Sequence, residues 1–399
     1  MTSTGLYRPA IVAGALGVLL WRTPTTFTNP QFWAEDGVIF ATARLEGLSS
    51  ITTVIAGYLT TAQFLVAILA SYIDPAFAPA IYNYSAVAMT LLVVWLVTSP
   101  RLDLPAKPLL AIAVVIVPMG YEELGTLCNV QWILPIGAFA ILFMKASPSR
   151  TTFAGEAIYI AVMSVTGPFS VFLAPLFIWR GYFSDDAQRP RLLILAAIMG
   201  VGAITQLILM LRYPGHGLPA GSYDRSLWIT LPFQQVATSF GHFVHHWTLG
   251  DYSLPLGIAL LLAAAAASLR DPYQQQKLFM LCFAAAIEFA GMFKFRHALE
   301  TQIDATRYFY VAAVFSLWFF CMLSHRWRYL LFLTVAVIQI GLLNEIKDTP
   351  RIKDDLGWNS QAALLSGDGT VSIPISPPGW SITLPARAEK IAETNVATP

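Results

Sequence analysis

Residues Leu192–Leu211 read LLILAAIMGVGAITQLILML. The run of 20 residues contains no charged side chain. At about 1.5 Å per residue, a helix of that length covers the roughly 30 Å hydrocarbon core of a bilayer. Ala10–Leu20, Leu91–Val97 and Leu254–Leu269 are apolar in the same way. Of the 399 residues, 56% are hydrophobic and 12% charged, and the mean hydropathy is +0.61. A soluble domain carries about twice that charged fraction. The expected fold class is therefore an all-α polytopic membrane protein. The formal net charge of +1 gives no reason to expect a nucleic-acid partner. Cys128, Cys282 and Cys321 lie in or beside apolar segments without CxxC or CxxH spacing, which argues against a disulfide framework or a zinc site.

Apolar segments fall at 8–22, 51–72, 79–98, 108–119, 131–144, 153–180, 192–212, 254–269, 278–295, 308–324 and 328–345. The expectation is about 11 transmembrane helices, within a range of about 9–13. Segments 108–119 and 131–144 are short, and Pro168 divides 153–180 into two half-helices. Re-entrant pieces of this kind persist at membrane depth where they line a protein cavity. Arg8, the apolar run and Trp21-Arg22 look like the start of a signal peptide. No small-x-small cleavage site follows, so an uncleaved first helix is expected.

Lysine and arginine set the orientation. Arg180, Arg189 and Arg191 form one basic loop, Arg270 and Lys277 a second, and Arg326 and Arg328 a third. Two spans separate each loop from the next, which puts all three on one side, the cytoplasm. The external side then holds 23–50, 213–253, 295–307 and the tail. In a bacterium that side of the inner membrane is the periplasm, and the N-terminus is cytoplasmic. Arg101, Lys107, Lys145 and Arg150 flank the short pair on both sides and leave the side of Glu122 and Asn129 open.

The chain divides into a transmembrane domain over 1–345 and an external tail over 346–399. Thr370–Ser376 and Trp380–Leu384 alternate apolar and polar residues around Pro377-Pro378-Gly379, the pattern of a small β-hairpin. The last dozen or so residues are expected to be disordered.

The loop after the first helix reads Phe27-Thr28-Asn29-Pro30-Gln31-Phe32-Trp33-Ala34-Glu35-Asp36-Gly37. Carboxylates beside hydrocarbon are costly and tend to be functional. Partial desolvation raises a carboxylate pKa and makes it a better base. A neighbouring carboxylate orients the first or holds a divalent metal such as Mg or Mn, for which Asp36 is the candidate ligand. The competing reading is an ordinary helix N-terminal carboxylate or a solvated loop.

Trp33-Ala34-Glu35-Asp36-Gly37 resembles the acidic motif in the first external loop of the type C glycosyltransferases, multi-span enzymes that use polyprenyl-phosphate-linked sugars. Gly57-Tyr58-Leu59, Asn129-Val130-Gln131-Trp132, Thr166-Gly167-Pro168-Phe169-Ser170 and Arg307-Tyr308 resemble short pieces of bacterial membrane proteins of this type. The commoner patterns centre on Asp, whereas this chain has Glu-Asp. The resemblance implies that Glu35 or Asp36 acts as base on the acceptor. It implies membrane lipids and a glycan, lipid or protein acceptor as partners.

A second cluster, Lys294-Phe295-Arg296-His297 followed by Glu300, Asp304, Arg307 and Tyr308, lies on the same expected side as Glu35. Its cations suit a lipid phosphate, for which arginine offers a bidentate fork. Arg307 opens an apolar helix and is the strongest candidate of the group. The competing reading is a basic cluster that touches lipid headgroups. His242, His245 and His246 share one helical face and suit a metal, contact with acceptor or donor, or an ordinary interfacial role. Glu122-Glu123 and Asn129–Gln131 flank a break between short apolar pieces and either line a cavity or cap helix ends. With Trp33, Tyr58 and Trp132 they complete the expected substrate cavity. Glu288 lies inside an apolar span and reads as a buried carboxyl, with Lys294 or Arg296 as a candidate partner.

No GxxxxGK[ST], HExxH or Gly-rich nucleotide loop occurs, and no soluble stretch is long enough for a nucleotide-sugar domain. The expected activity is inverting glycosyl transfer from a polyprenyl-phosphate sugar to an acceptor hydroxyl at the external face. Glu35 or Asp36 would serve the acceptor, and Arg307, with Lys294 or Arg296 and beside Tyr308, would hold the departing phosphate. The competing expectations are a flippase or transporter of a lipid-linked saccharide, and a polysaccharide polymerase or non-catalytic membrane subunit.

Overall fold

The computed structural model describes residues 4–118, 120, 122–213, 272–301, 307–324, 336, 339, 343, 355–366 and 370–385. These are mostly helical. Two helices among them, Pro75–Val97 and Arg189–Arg212, are long and apolar enough to cross a membrane. The first part of the chain forms α1 (Thr4–Arg22), the short α2 (Pro24–Thr28) and α3 (Asp36–Glu46). A two-residue ladder of β1 (Val54–Ile55) and β2 (Tyr58–Leu59) leads into α4 (Thr61–Ser71) and α5 (Ala78–Val97). Next come α6 (Lys107–Ile116), α7 (Val130–Leu142), α8 (Arg150–Ser164), α9 (Phe169–Phe183) and α10 (Arg189–Arg212). The remaining described elements are α11 (Gln274–Thr301), α12 (Arg307–Ser324), the short α13 (Trp358–Ala362) and a hairpin of β3 (Thr370–Ile375) and β4 (Trp380–Pro385).

One apolar segment folds otherwise than expected. The run 51–72 is not one helix. Ala56 and Gly57 both take positive φ, +54° and +91°, between the paired residues Ile55 and Tyr58, which makes a two-residue hairpin turn. What remains, α4, has 11 residues and is only about 16 Å long. Residues 153–180 divide beside Pro168, as expected, into α8 and α9, which part at Thr166-Gly167-Pro168, where Gly167 takes φ +78°.

Arginine side chains close the helices at one end of the bundle. The last carbonyls of α7 have no partner within the helix. Arg191 donates to Ile141 and Met144 oxygens at 3.1 and 2.9 Å, and Arg180 donates to Leu142 O at 2.9 Å. A cation at a helix C-terminus also meets the negative end of its dipole. Arg101 donates to Lys145 O at 2.8 and 2.6 Å, and Leu102 bridges Met144, so the turns before α6 and after α7 lie side by side. Arg8 stacks on Trp95, its guanidinium carbon 3.6 Å from the ring centroid, at the same end.

Glu156 sits between two of these arginines, 2.6 Å from Arg101 and 2.7 Å from Arg191. Replacing a single carboxylate shared by two guanidiniums leaves buried charge uncompensated, at a cost of about 3–5 kcal/mol. Glu156→Leu is expected to lower the midpoint of heat-induced aggregation of the purified protein. An unchanged midpoint would mean that the carbonyl contacts of Arg101 and Arg191 suffice.

At the opposite end, the turn between α8 and α9 pairs with β2. Gly167 N donates to Leu59 O at 2.9 Å, and Thr60 bridges Thr166. Gln206, a polar residue within the apolar α10, fastens the joint. It accepts from Leu59 N at 2.9 Å and donates to Leu59 O and Gly167 O at 3.1 and 3.0 Å. Gly202 lets α10 approach α8, because a Cβ there would stand 2.3 Å from Ser164 Oγ. Arg22, closing α1, caps α6 through Val115 O and Val117 O at 2.8 and 2.7 Å. The α12 side chains Tyr310 and Trp318 donate to Val114 O and Leu110 O of α6 at 2.5 and 2.7 Å. Helices α6 and α7 therefore leave the arginine end and return to it. The segment between them, with Glu122 and Asn129, belongs to the end that holds Asp36.

The tail packs on that same end. Trp358 stands edge-on to Phe32, with centroids 4.7 Å apart, and donates its indole N–H to Pro75 O at 2.9 Å. Ile375 and Ile382 of the hairpin press on Gly37, where a Cβ would lie 2.7 and 2.5 Å from their side chains.

Candidate functional site

The site begins with the division of the acidic doublet. Ala34 takes φ +46°, an uncommon conformation for a residue with a Cβ. The turn is held from two sides. Ala34 N donates to Ser376 O of the tail at 2.6 Å. Asp36, with no exposed surface, accepts from Trp33 N at 3.1 Å and from Cys128 N at 2.7 Å, one bond to each carboxylate oxygen. As the first residue of α3 it also meets the positive end of a helix dipole. Asp36 thus ties the first loop to the segment between α6 and α7. Glu35, one residue earlier, is half-exposed. Its charge acts on Arg307, Tyr308, Tyr58 and Cys128, which places it among them.

Arg307 heads α12 and pairs with Glu122 at 3.3 Å. Its guanidinium carbon is 5.4 Å from the Tyr308 ring centroid. Tyr308 meets Trp132 edge-on at 5.1 Å, and Trp132 meets Phe169 at 4.9 Å. Gln131 donates to the Tyr58 hydroxyl at 3.3 Å. Burial, then Tyr308, push the Tyr58 phenol above its ordinary range, so it stays a protonated donor at neutral pH. Burial, then Asp36, raise the Cys128 thiol in the same way, which keeps it an uncharged packing group.

Glu35, Tyr58, Glu122, Gln131, Trp132, Arg307 and Tyr308, drawn from five separate stretches of sequence, thus come together at one end of the bundle. Trp33 and Asn129 serve the frame around them. Trp33 bridges Ser376 of the tail, and Asn129 donates to Glu122 O and Thr126 Oγ1 at 3.0 and 3.2 Å. Lys294 and Arg296 fall in the last two turns of α11, where only the backbone is described. The side chain of Glu288 and all of His242, His245 and His246 lie outside the described residues. Asp36, the candidate metal ligand, gives both oxygens to backbone N–H groups. Among the described residues no group of three or more His, Cys, Asp and Glu side chains is arranged to hold a metal.

Several supporting residues escaped sequence reading. Gln63 donates to Cys128 O at 3.1 Å and braces the segment that Asp36 holds. Gln63 and Gln206 carry one usable signal, an amide within an apolar helix, which must find partners when buried. Trp358 and Ser376 of the tail carry none, because their contacts are set by tertiary docking. A separate groove of about 630 Å³ runs along α5, α7 and α8 from Arg101 and Glu156 to Ala62 and Leu134.

Comparison with protein-family models, curated proteins and solved structures finds no match, so the reading of this site rests on its own residues.

Proposed function

We propose that the chain is a polytopic membrane glycosyltransferase that moves a sugar from a polyprenyl-phosphate donor to an acceptor hydroxyl. The observation that carries this reading is the half-open Glu35 beside the Arg307–Glu122 pair, at the end of the bundle opposite the arginine-closed turns. By the positive-inside rule, the arginine-rich end faces the cytoplasm and the Glu35 end faces outward. Helices α3 and α4 then lie along the external surface. Helices α1 and α5 to α12 give nine crossings, of which α6 and α7 are a short pair; the apolar runs 254–269 and 328–345, largely outside the described residues, bring the expectation from sequence to about eleven. The buried segment joining them lines the substrate cavity, where irregular backbone at membrane depth is tolerated.

Glu35 takes the proton from the acceptor hydroxyl as its oxygen attacks the anomeric carbon. The bond from that carbon to the phosphate oxygen breaks, and the electron pair leaves with the phosphate. Arg307 neutralises the charge that develops there, and the Tyr308 and Tyr58 hydroxyls are donors at hand. Attack opposite the leaving group inverts the anomeric centre. Asp36 holds the loop and takes no part in proton transfer.

The test is a transfer assay in reconstituted vesicles with labelled polyprenyl-phosphate sugars and membrane-derived acceptors. Acceptor-dependent release of polyprenyl phosphate is expected. Movement of the intact lipid sugar between leaflets without release would favour a flippase instead. Sidedness is tested by impermeant maleimide labelling of intact spheroplasts. Ser49→Cys is expected to react and Asp186→Cys to react only after lysis; the reverse pattern would invert the orientation and remove the proposed external site.

A further inference from the structure

The Gln131–Trp132 pair carries polar atoms that the ion pair and its neighbours do not use. The Trp132 indole N–H is buried without a hydrogen-bond partner, and so is the Gln131 side-chain oxygen. These residues are 5% and 8% exposed. An orphaned polar atom in a closed site costs free energy unless water or a ligand completes it. Gln131 is fixed at its other amide atom by the Tyr58 hydroxyl, so its oxygen cannot swing away without breaking that bond. It faces Gly167, where a Cβ would stand 2.9 Å from that oxygen and 3.4 Å from the Phe169 ring. Trp132 is gripped edge-on between Phe169 and Tyr308. The next residue after Phe169, Ser170, also has a buried hydroxyl without a partner.

These groups form a connected wall that starts at Tyr58, passes through Gln131, Gly167, Phe169 and Trp132, and ends at Tyr308 beside Arg307. The wall offers one fixed donor and one fixed acceptor between aromatic rings. A hydrocarbon satisfies neither atom. A phosphate would accept from the indole but be repelled by the amide oxygen. A sugar carries hydroxyls that can serve each atom, one accepting from the indole N–H and one donating to the amide oxygen.

We infer that Gln131 and Trp132 form the subsite that reads hydroxyls of the transferred sugar, while Arg307 reads the phosphate. The inference rests on the glycosyltransferase reading. It adds that sugar specificity is set at the start of α7 rather than at the acidic loop. A site built to bond a hydroxyl discriminates strongly against an analogue lacking it, because its own polar atoms are then left unpaired.

The experiment uses the full chain in vesicles with polyprenyl-phosphate glucose, mannose, galactose and arabinose, and then the monodeoxy analogues of the sugar that is transferred. Trp132→Phe keeps the ring and removes the N–H, and Gln131→Leu removes the acceptor. Each is expected to raise KM for the parent sugar about 10- to 100-fold. For each variant, one deoxy analogue, lacking the hydroxyl that the removed atom served, is expected to show the same loss with the unaltered chain and no further loss with that variant. Uniform loss across all analogues, or no loss, would overturn the inference while transfer by the unaltered chain keeps the functional reading. If a variant fails to fold, the deoxy series on the unaltered chain decides alone, and equal transfer of every analogue overturns the proposal. If the unaltered chain transfers none of these sugars, the functional reading fails and this inference with it.

Discussion

Glu35→Gln is expected to lower sugar transfer by about 10²- to 10⁴-fold, the usual contribution of a positioned general base, with no change in thermal stability. Asp36→Asn is expected to behave in the opposite order. Its first effect is on folding, because Asp36 is fully buried and its two oxygens accept from Trp33 N and Cys128 N. An amide can accept through one oxygen only. The N–H group it abandons costs about 1–3 kcal/mol. Glu35 is half-exposed and lies among groups that would hold a donor phosphate, so losing its charge removes a base and no packing. The measurement is paired: the initial rate of polyprenyl-phosphate release, and the unfolding midpoint of the same preparation. A Glu35→Gln protein that transfers at the normal rate would falsify the assignment of the base. An Asp36→Asn protein with an unchanged midpoint and no activity would exchange the two roles.

The doublet shows what the sequence could and could not carry. Two adjacent carboxylates between aromatics, beside an apolar helix, are legible as a candidate site. Which one stays partly exposed is not, because that depends on the left-handed turn at Ala34 and on a backbone N–H at Cys128, 92 residues away. The same limit applies to the helices. Composition reads 51–72 as apolar throughout, yet the turn at Ala56-Gly57 takes half of it out of helix. The side of Glu122 was open because cations flank the short pair on both sides. The end of the bundle at which it lies follows from pairwise contacts, chiefly Arg101 with Lys145 O and the bridge from Leu102 to Met144. Local pattern was sufficient where the element is itself local. The alternation in the tail marks both strands to within a residue of Thr370–Ile375 and Trp380–Pro385. It could not show that those strands lean on Gly37 and hold the acidic loop from above.

Arg307 carries the other large expected effect, and its test must separate two roles. The guanidinium pairs with Glu122, so Arg307→Gln removes a structural contact as well as a candidate phosphate ligand. Glu122 is 8% exposed at its side chain, and breaking a buried pair from one side costs about 3–5 kcal/mol when burial is complete. Arg307 is 26% exposed, which lowers the expected cost toward the bottom of that range. A double variant resolves the ambiguity. Arg307→Gln with Glu122→Gln replaces the ion pair by two neutral amides and leaves no buried charge unpaired, and most of the lost stability is expected to return. If Arg307 acts only on Glu122, activity returns with it. If Arg307 neutralises the departing phosphate, transfer stays about 10²- to 10³-fold low, the loss typical of removing one preorganised transition-state donor. Arg307→Lys refines the result. It keeps the charge but loses the planar fork, so a bidentate grip predicts a raised KM for the donor and a reduced kcat. Recovery of both stability and transfer in the double variant would leave the phosphate without its arginine and return the search for that group to Lys294 and Arg296.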